Sequence, residues 1–307
     1  MENTKYNVIV ILGPTASGKT AVAANLAYQM KGEIISADSR QIYKKLNLGT
    51  GKDYDDYYVN GEPIPFHLID IADPGMQYNV YEYQKDFIKA YNQLSLKGCV
   101  PILCGGSGMY IEAVLEGYQL IQVPVNNELR EQLAEKTLEE LTSLLKQYKS
   151  LHATTDTDNK KRTIRAIEIA QYCKNNAIPE LEYPQLSPLI VAIRFDRSIE
   201  RERITQRLKD RLNAGMLDEV RELLRSGLTP DQLIYYGLEY KFLTQHIIGQ
   251  ITYEEMFTLL NTAIHQFAKR QMTWFRRMEK KGFRIHWIDG NTPLDEKMDI
   301  IKSLYFQ

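Results

Sequence analysis

The segment "GPTASGKT" sets Gly13, Pro14, Thr15, Ala16, Ser17, Gly18, Lys19 and Thr20 in the spacing of a phosphate-binding loop. In such a loop backbone N–H groups and the following helix N-terminus point at an anion. Lys19 adds a point charge and the Thr20 hydroxyl can hold Mg²⁺. The spacing speaks for phosphate or pyrophosphate and is silent on the group attached to it. The companions of a nucleotide hydrolase are thin. "HLIDI" offers Asp70, but not at the end of an apolar run, and no GTPase-type base-reading motif occurs. The loop is therefore open to a pyrophosphate that is not part of ATP.

Two further residues have chemistry to offer. Asp38 follows the apolar run "GEIISA", so in a parallel sheet it reaches the crevice at the carboxyl ends of the strands. There it can take a proton from a second substrate or hold a metal, or else cap the segment "SRQIYKKL". Ser107, in "CGGSGMY", ends another strand in the same way, as a substrate-bonding hydroxyl or as a helix cap. Arg203, Arg207 and Arg211 recur every four residues and share a helix face. They form either a solvated stripe balanced by Glu200, Glu202 and Asp210, or a clamp on pyrophosphate, whose oxygens Arg matches bidentately.

Two basic segments remain. "NKKRTIRAIE" gathers Lys160, Lys161, Arg162 and Arg165 at a helix start, where positive charge opposes the helix dipole. "FAKRQMTWFRRMEKK" interleaves Lys269, Arg270, Arg276 and Arg277 with Trp274 and Phe275. Cations between aromatics suit an RNA backbone with unstacked bases, and equally an amphipathic helix with its rings in the core.

The elements that must position these residues alternate between strand and helix. Apolar runs at 6–12, 32–39, 66–74 and 99–106, separated by helical stretches, predict a doubly wound parallel sheet over residues 1–120. Residues 121–186 turn helical and charge-rich, which reads as an insertion. "LIVAIRF" at 189–195 then resumes the sheet within 187–307, followed by a basic helix at 198–226, further helices and a last strand at 283–289.

Composition narrows the partners. A formal net charge of -1 disfavours a general nucleic-acid coater, though an enzyme acting on one nucleic acid needs only local basic patches. No apolar run approaches bilayer length, and "MENTKYNVIV" resembles no signal peptide. Cys99, Cys104 and Cys173 lack metal-ligand spacing and read as reduced core thiols of a cytoplasmic protein.

Taken together, seven ordered segments resemble the tRNA dimethylallyltransferase family: "GPTASGKT", "SADSRQIYKKLNLGTGK", "FHLIDIADP", "PILCGGSGMY", "KRTIRAIE", "RITQRL" and "AKRQMTWFR". The resemblance implies a P-loop NTPase-like α/β fold with a helical insertion domain. It also implies transfer of a dimethylallyl group from dimethylallyl pyrophosphate to the exocyclic amine of the adenine immediately 3′ of a tRNA anticodon. By the same resemblance, Thr15 to Thr20 contact the allylic pyrophosphate with Mg²⁺, and Arg207 neutralises the leaving group. Asp38, Ser39, Arg40 and Gln41 meet the tRNA with Asp38 as general base, and Ser107 keeps the hydroxyl of the family's usual Thr. The anticodon stem-loop is held by Lys161, Arg162, Thr163, Ile164 and Arg165 and by Lys269, Arg270, Gln271, Trp274 and Arg276. A monomer is expected, with no Cys/His cluster of the kind that builds the zinc finger of eukaryotic relatives. One segment departs from the family pattern: "YGLEYK" at 236–241 has Leu238 and Glu239 in place of an aromatic and a basic residue. Three rival readings use fewer of these features: a small-molecule kinase, a transferase acting on free adenine nucleotide, and a non-catalytic RNA-binding protein.

Overall fold

The computed structural model describes residues 5–148, 154–177 and 182–307. They fall into two compact units, one built from the chain up to Tyr118 and from Tyr183 onward, the other from Gln119–Glu182.

The first unit is organised by β1 (Val8–Leu12), five apolar residues that are all fully buried. A strand with no polar face must be covered on both sides, which only the interior of a parallel sheet provides. Val8, Val10 and Leu12 pack into one apolar layer and Ile9 and Ile11 into the other, the period-2 alternation of a strand. Helix α1 (Lys19–Met30) follows, then β2 (Glu33–Ala37), a hairpin of β3 (Tyr58–Val59) and β4 (Glu62–Pro63), and β5 (Phe66–His67). Helix α2 (Val80–Lys97) carries an Asn79–Glu82 capping box and leads to β6 (Pro101–Gly105) and α3 (Gly108–Leu115).

The expected strand at 66–74 is cut short. Leu68 and Asp70 both take left-handed backbone angles, at φ 63° and 55°, which no β ladder accepts, so pairing stops after His67.

The second unit contains α4 (Asn127–Ala134), α5 (Leu138–Lys146) and α6 (Lys160–Asn175) around Leu133, Leu141, Leu145, Ala166 and Ile167. Back in the first unit come β7 (Pro188–Arg194), α7 (Arg197–Asn213) and α8 (Met216–Arg225). The single basic helix expected over 198–226 is thus two, broken at Gly215, whose φ of 96° suits only glycine. Then follow α9 (Pro230–Tyr235), α10 (Leu238–Ile247), the long α11 (Tyr253–Lys280), β8 (Ile285–Asp289) and α12 (Leu294–Tyr305).

The sheet order is β5-β2-β6-β1-β7-β8, with every neighbouring pair parallel. Chain progression reverses direction at β1, with β2 and β6 on one side and β7 and β8 on the other. The loops after β1 and β6 therefore diverge and open a crevice at the carboxyl ends of the strands. Among the described residues no helix is long and apolar enough to cross a membrane. The three cysteines are free thiols, and burial pushes that of Cys104 up to about 12.

Candidate active site

The crevice opens into a cleft of about 820 Å³ whose walls include Thr15, Lys19, Thr20, Asp38, Arg207 and Arg270. The loop after β1 owes its shape to residues with no freedom to differ. A Cβ on Gly13 would stand 2.3 Å from Ser17 Oγ, and Gly18 begins α1 at φ 77°. Ala16 is also left-handed, at φ 62°. Helix α1 has no side-chain cap, so its first N–H groups face the loop as anion donors. Burial lowers the pKa of Lys19, Cys104 and Asp38 oppose that shift, and Arg207 and Arg211 reinforce it. An anion in the loop would offset that desolvation.

Gln271, expected among RNA contacts, lines the same cleft. From the buried face of α11 it accepts a hydrogen bond from the Thr15 N–H at 2.9 Å and donates one to the Gly106 carbonyl at 3.0 Å. It ties the loop after β1 to the end of β6.

Asp38 and Ser107 are brought together at the strand ends. No helix follows Asp38, so it caps none; its Oδ1 accepts from the Arg40 N–H at 2.9 Å and closes a turn. Ser107 precedes α3, yet its hydroxyl makes no cap bond and accepts from the Ser39 N–H at 3.0 Å. The Ser107 side chain thus fixes the turn that carries Asp38. Ser39, Arg40 and Gln41 also line the cleft, and Gln41 donates to the Gly51 carbonyl at 2.9 Å.

The Arg stripe is not balanced by the acids of its own helix. Arg203 donates to the Ala16 carbonyl at 3.0 Å and lies over the Phe195 ring. Arg207 and Arg211 converge on Asp53 at 2.7 and 2.9 Å. Burial would raise the pKa of Asp53, but Arg211 and Arg207 outweigh it and hold it below the usual range. Asp53 lies 154 residues from Arg207 in sequence, and no spacing rule connects them. The clue was the segment "GTGKD" beside the stretch already singled out.

That segment is anchored throughout. Glu219 accepts from the N–H groups of Asn47, Leu48 and Gly49 at 3.0, 2.7 and 3.1 Å. A Cβ on Gly51 would meet the Arg211 guanidinium at 2.8 Å. The almost fully buried Lys52 ammonium pairs with Asp70 at 2.5 Å, and Tyr54 also donates to that carboxylate. Asp70 thus serves to fix this loop. In the departing segment, Leu238 and Glu239 both line the cleft, and burial raises the Glu239 pKa.

On α11, Lys269, Arg270 and Arg276 are exposed. Trp274 is packed so closely that a Cβ on Gly108 would sit 2.2 Å from its ring. Its Nε1 is buried without a hydrogen-bond partner, and Arg277 stacks over the indole at 4.3 Å while pairing with Glu112. Trp274 is partly buried against Gly108 and under the Arg277 guanidinium.

In the second unit, Lys161 and Arg162 are exposed, the latter pairing with Asp158 at 2.7 Å. Thr163 is buried and donates to the Asn159 carbonyl, and Ile164 packs on the unit's small core. Arg165 donates to the Val123 carbonyl at 2.8 Å and pairs with the buried Glu168, which Arg130 also holds at 3.0 Å. Thr163 and Ile164 thus build the unit from within, while the partly exposed Arg165 neutralises its buried acid.

Comparison with known proteins gives the family of the chain. Residues 41–278 match the IPP transferase family, and residues 6–62 match the isopentenyl transferase family. The chain is 62% identical to tRNA dimethylallyltransferase 2 of Bacteroides fragilis over 298 residues, 97% of each protein. It is 59% identical to tRNA dimethylallyltransferase 1 of Parabacteroides distasonis over 95% of each. The crystal structure of the tRNA isopentenylpyrophosphate transferase of Bacillus halodurans superposes with a TM-score of 0.70 at 27% identity, covering 97% of this chain and 95% of that one. A eukaryotic dimethylallyltransferase acting on tRNA shares the fold at a TM-score of 0.75 and 21% identity, over 97% of this chain and 76% of that one.

Proposed function

The chain belongs to the IPP transferase family, and from that premise we propose that it transfers a dimethylallyl group from dimethylallyl pyrophosphate to tRNA. The acceptor is the exocyclic amine of the adenine immediately 3′ of the anticodon, and pyrophosphate leaves. One observation carries the reading: a phosphate loop and a carboxylate, Asp38, line the same cleft.

The reaction breaks the bond between the allylic carbon and the bridging phosphate oxygen, and the electron pair departs with pyrophosphate. The loop N–H groups, Lys19 and Arg207 neutralise that charge from fixed positions, which costs no reorganisation as it develops. The bond from nitrogen to allylic carbon forms, and Asp38 takes the amine proton. The adenine leaves its stack to reach this point. Thr20, a hydroxyl on the cleft wall, would supply one hard oxygen to Mg²⁺, an ion that usually keeps water and substrate phosphate as its other ligands. When bound, it adds Lewis-acid neutralisation of the pyrophosphate.

Arg40 and Gln41 beside Asp38, and the exposed Lys161, Arg162, Lys269, Arg270 and Arg276, suit the RNA backbone. Thr163, Ile164, Arg165, Gln271 and Trp274 position the elements that carry them. On the same reading the protein acts as a monomer in the cytoplasm, where its tRNA substrate is found.

Incubation with Mg²⁺, dimethylallyl pyrophosphate and unmodified tRNA should yield prenylated adenosine on mass spectrometry of the digested RNA. No product from any tRNA with an adenine at that position would overturn the reading. Parallel reactions with free AMP, or with ATP and small acceptors, should stay blank.

A further inference from the structure

The segment "YGLEYK" is the departure from the family pattern that the reaction above leaves unused. Gly237 turns the chain into α10 at φ 93°, and Glu239 falls in the first turn of that helix. An acid there suits the helix dipole, so local structure favours its ionised form. Its surroundings favour the other. Glu239 lines the cleft and also a recess of about 20 Å³, which it shares with Thr15 and Ala16 of the phosphate loop and with Arg207 and Arg211 of α7. Both arginines are already held by Asp53, and among the described residues Glu239 makes no ion pair. Burial raises its pKa and Asp38 adds to the rise, while Arg211 and Arg40 oppose it only in part. The remaining charges on the cleft wall are Lys19, Arg203, Arg270, Asp56 and Asp210. On the neighbouring α8, Glu219 accepts from the Tyr240 hydroxyl.

We propose that Glu239 takes up a proton when the allylic pyrophosphate binds and gives it to the pyrophosphate that leaves. The inference rests on the transferase reading above and adds to it an acid for the leaving group. A pyrophosphate in the loop brings several negative charges to the recess that Glu239 shares with Thr15 and Ala16. Like charge at that range favours the protonated carboxyl. The neutral group donates a hydrogen bond where a carboxylate would repel. As the bond between the allylic carbon and the bridging oxygen breaks, its electron pair goes to that oxygen. The Glu239 proton passes to an oxygen of the same pyrophosphate. The amine proton goes separately to Asp38, so the acceptor loses one proton while the leaving group gains one. A carboxylate then stands beside the product, and its repulsion speeds release.

The test counts protons. Titration calorimetry of dimethylallyl pyrophosphate with Mg²⁺ and without tRNA, in buffers of differing ionisation enthalpy, gives the protons taken up on binding. The donor's own phosphate titrates alike in every variant and cancels between them. Between about pH 6 and 8 the unaltered protein should take up more than Glu239→Gln, by as much as about one proton. Relative to that variant, its donor affinity should fall as pH rises, by up to about tenfold per unit. With tRNA, Glu239→Gln should lower kcat about 10²-fold or more. Glu239→Asp keeps an acid and should recover part of both the uptake and the turnover. Glu239→Ala replaces the glutamine variant if that one does not fold. Asp56→Asn removes another cleft carboxyl whose pKa burial raises, and it should keep the uptake. Equal proton counts in the unaltered protein and Glu239→Gln, loss of the uptake in Asp56→Asn instead, or an unchanged kcat would overturn the proposal. Absence of transfer by the unaltered protein would sink the transferase reading, and the proton count on binding would still judge Glu239.

Discussion

Arg207 and Arg211 share one carboxylate, whereas Lys161, Arg162, Lys269 and Arg276 stand in solvent on the outer faces of α6 and α11. The first pair is fixed before any ligand arrives: Asp53 holds both guanidinium groups, and Arg211 abuts Gly51. Such cations suit a small, dense anion that must be met at one distance, because their side-chain entropy is already lost. The exposed set keeps its freedom and its hydration. That suits a long polyanion bound through release of counterions, where register matters less than number. Different acids distinguish the sets: Asp53 reaches Arg207 across 154 residues, while Asp158 reaches Arg162 from one turn away.

The sharpest break of this contrast is at Asp38, a carboxylate inside the cleft that makes no ion pair with the Arg stripe. Asp38→Asn should keep the turn, since an amide oxygen still accepts from the Arg40 N–H. It cannot take the amine proton, so turnover should fall about 10²–10⁴-fold with tRNA affinity nearly unchanged. Normal turnover in this variant would reduce Asp38 to a turn-former.

Asp53→Asn tests the preorganised pair itself. With one anion gone, Arg207 and Arg211 repel each other and lose their common anchor. KM for the allylic donor should rise about tenfold while tRNA binding stays within about twofold. The pH dependence has a defined sign. Asp53 is held below its ordinary range in the folded protein, so its contribution to stability is complete above the unfolded aspartate pKa of about 4 and lost as pH falls through the lower folded value. Urea unfolding should therefore separate the two proteins at neutral pH and bring them together in strong acid. A gap that widens in acid would contradict the pairing.

Sequence patterns revealed these features unevenly, and the reasons are physical. The strands β1, β6 and β7 are nearly continuous apolar runs because both faces are covered, and such runs are visible in one dimension. The loop after β1 is visible because its glycines are required by sterics at fixed offsets. The truncation of the third strand is not visible, since nothing in "FHLIDIADP" marks Leu68 and Asp70 for positive φ. Asp53 is hidden because its partners come from a helix far along the chain. The packing of Trp274 is hidden among its basic neighbours. Trp274 lies three residues from the buried Gln271 and four from the buried Met278, so the helical period turns it toward Gly108.

The smallest effect, and the one that best separates the exposed cations from structural ones, lies within α6. Arg162 and Arg165 are three residues apart on one helix, and the family resemblance implies an RNA contact for both. Arg162 touches Asp158 at the surface, a pair worth little in water. Arg165 instead helps to neutralise Glu168, whose side chain is 2% exposed. Arg162→Ala should weaken tRNA binding only a few-fold. The slope of log affinity against log salt should become shallower by about 0.7–0.9, one phosphate contact, with the melting temperature unchanged. Arg165→Ala should do the reverse, lowering the melting temperature of the protein because Glu168 keeps Arg130 but loses its second cation. If both variants shift the salt slope equally, α6 presents both side chains to RNA and the division drawn between free and committed cations fails.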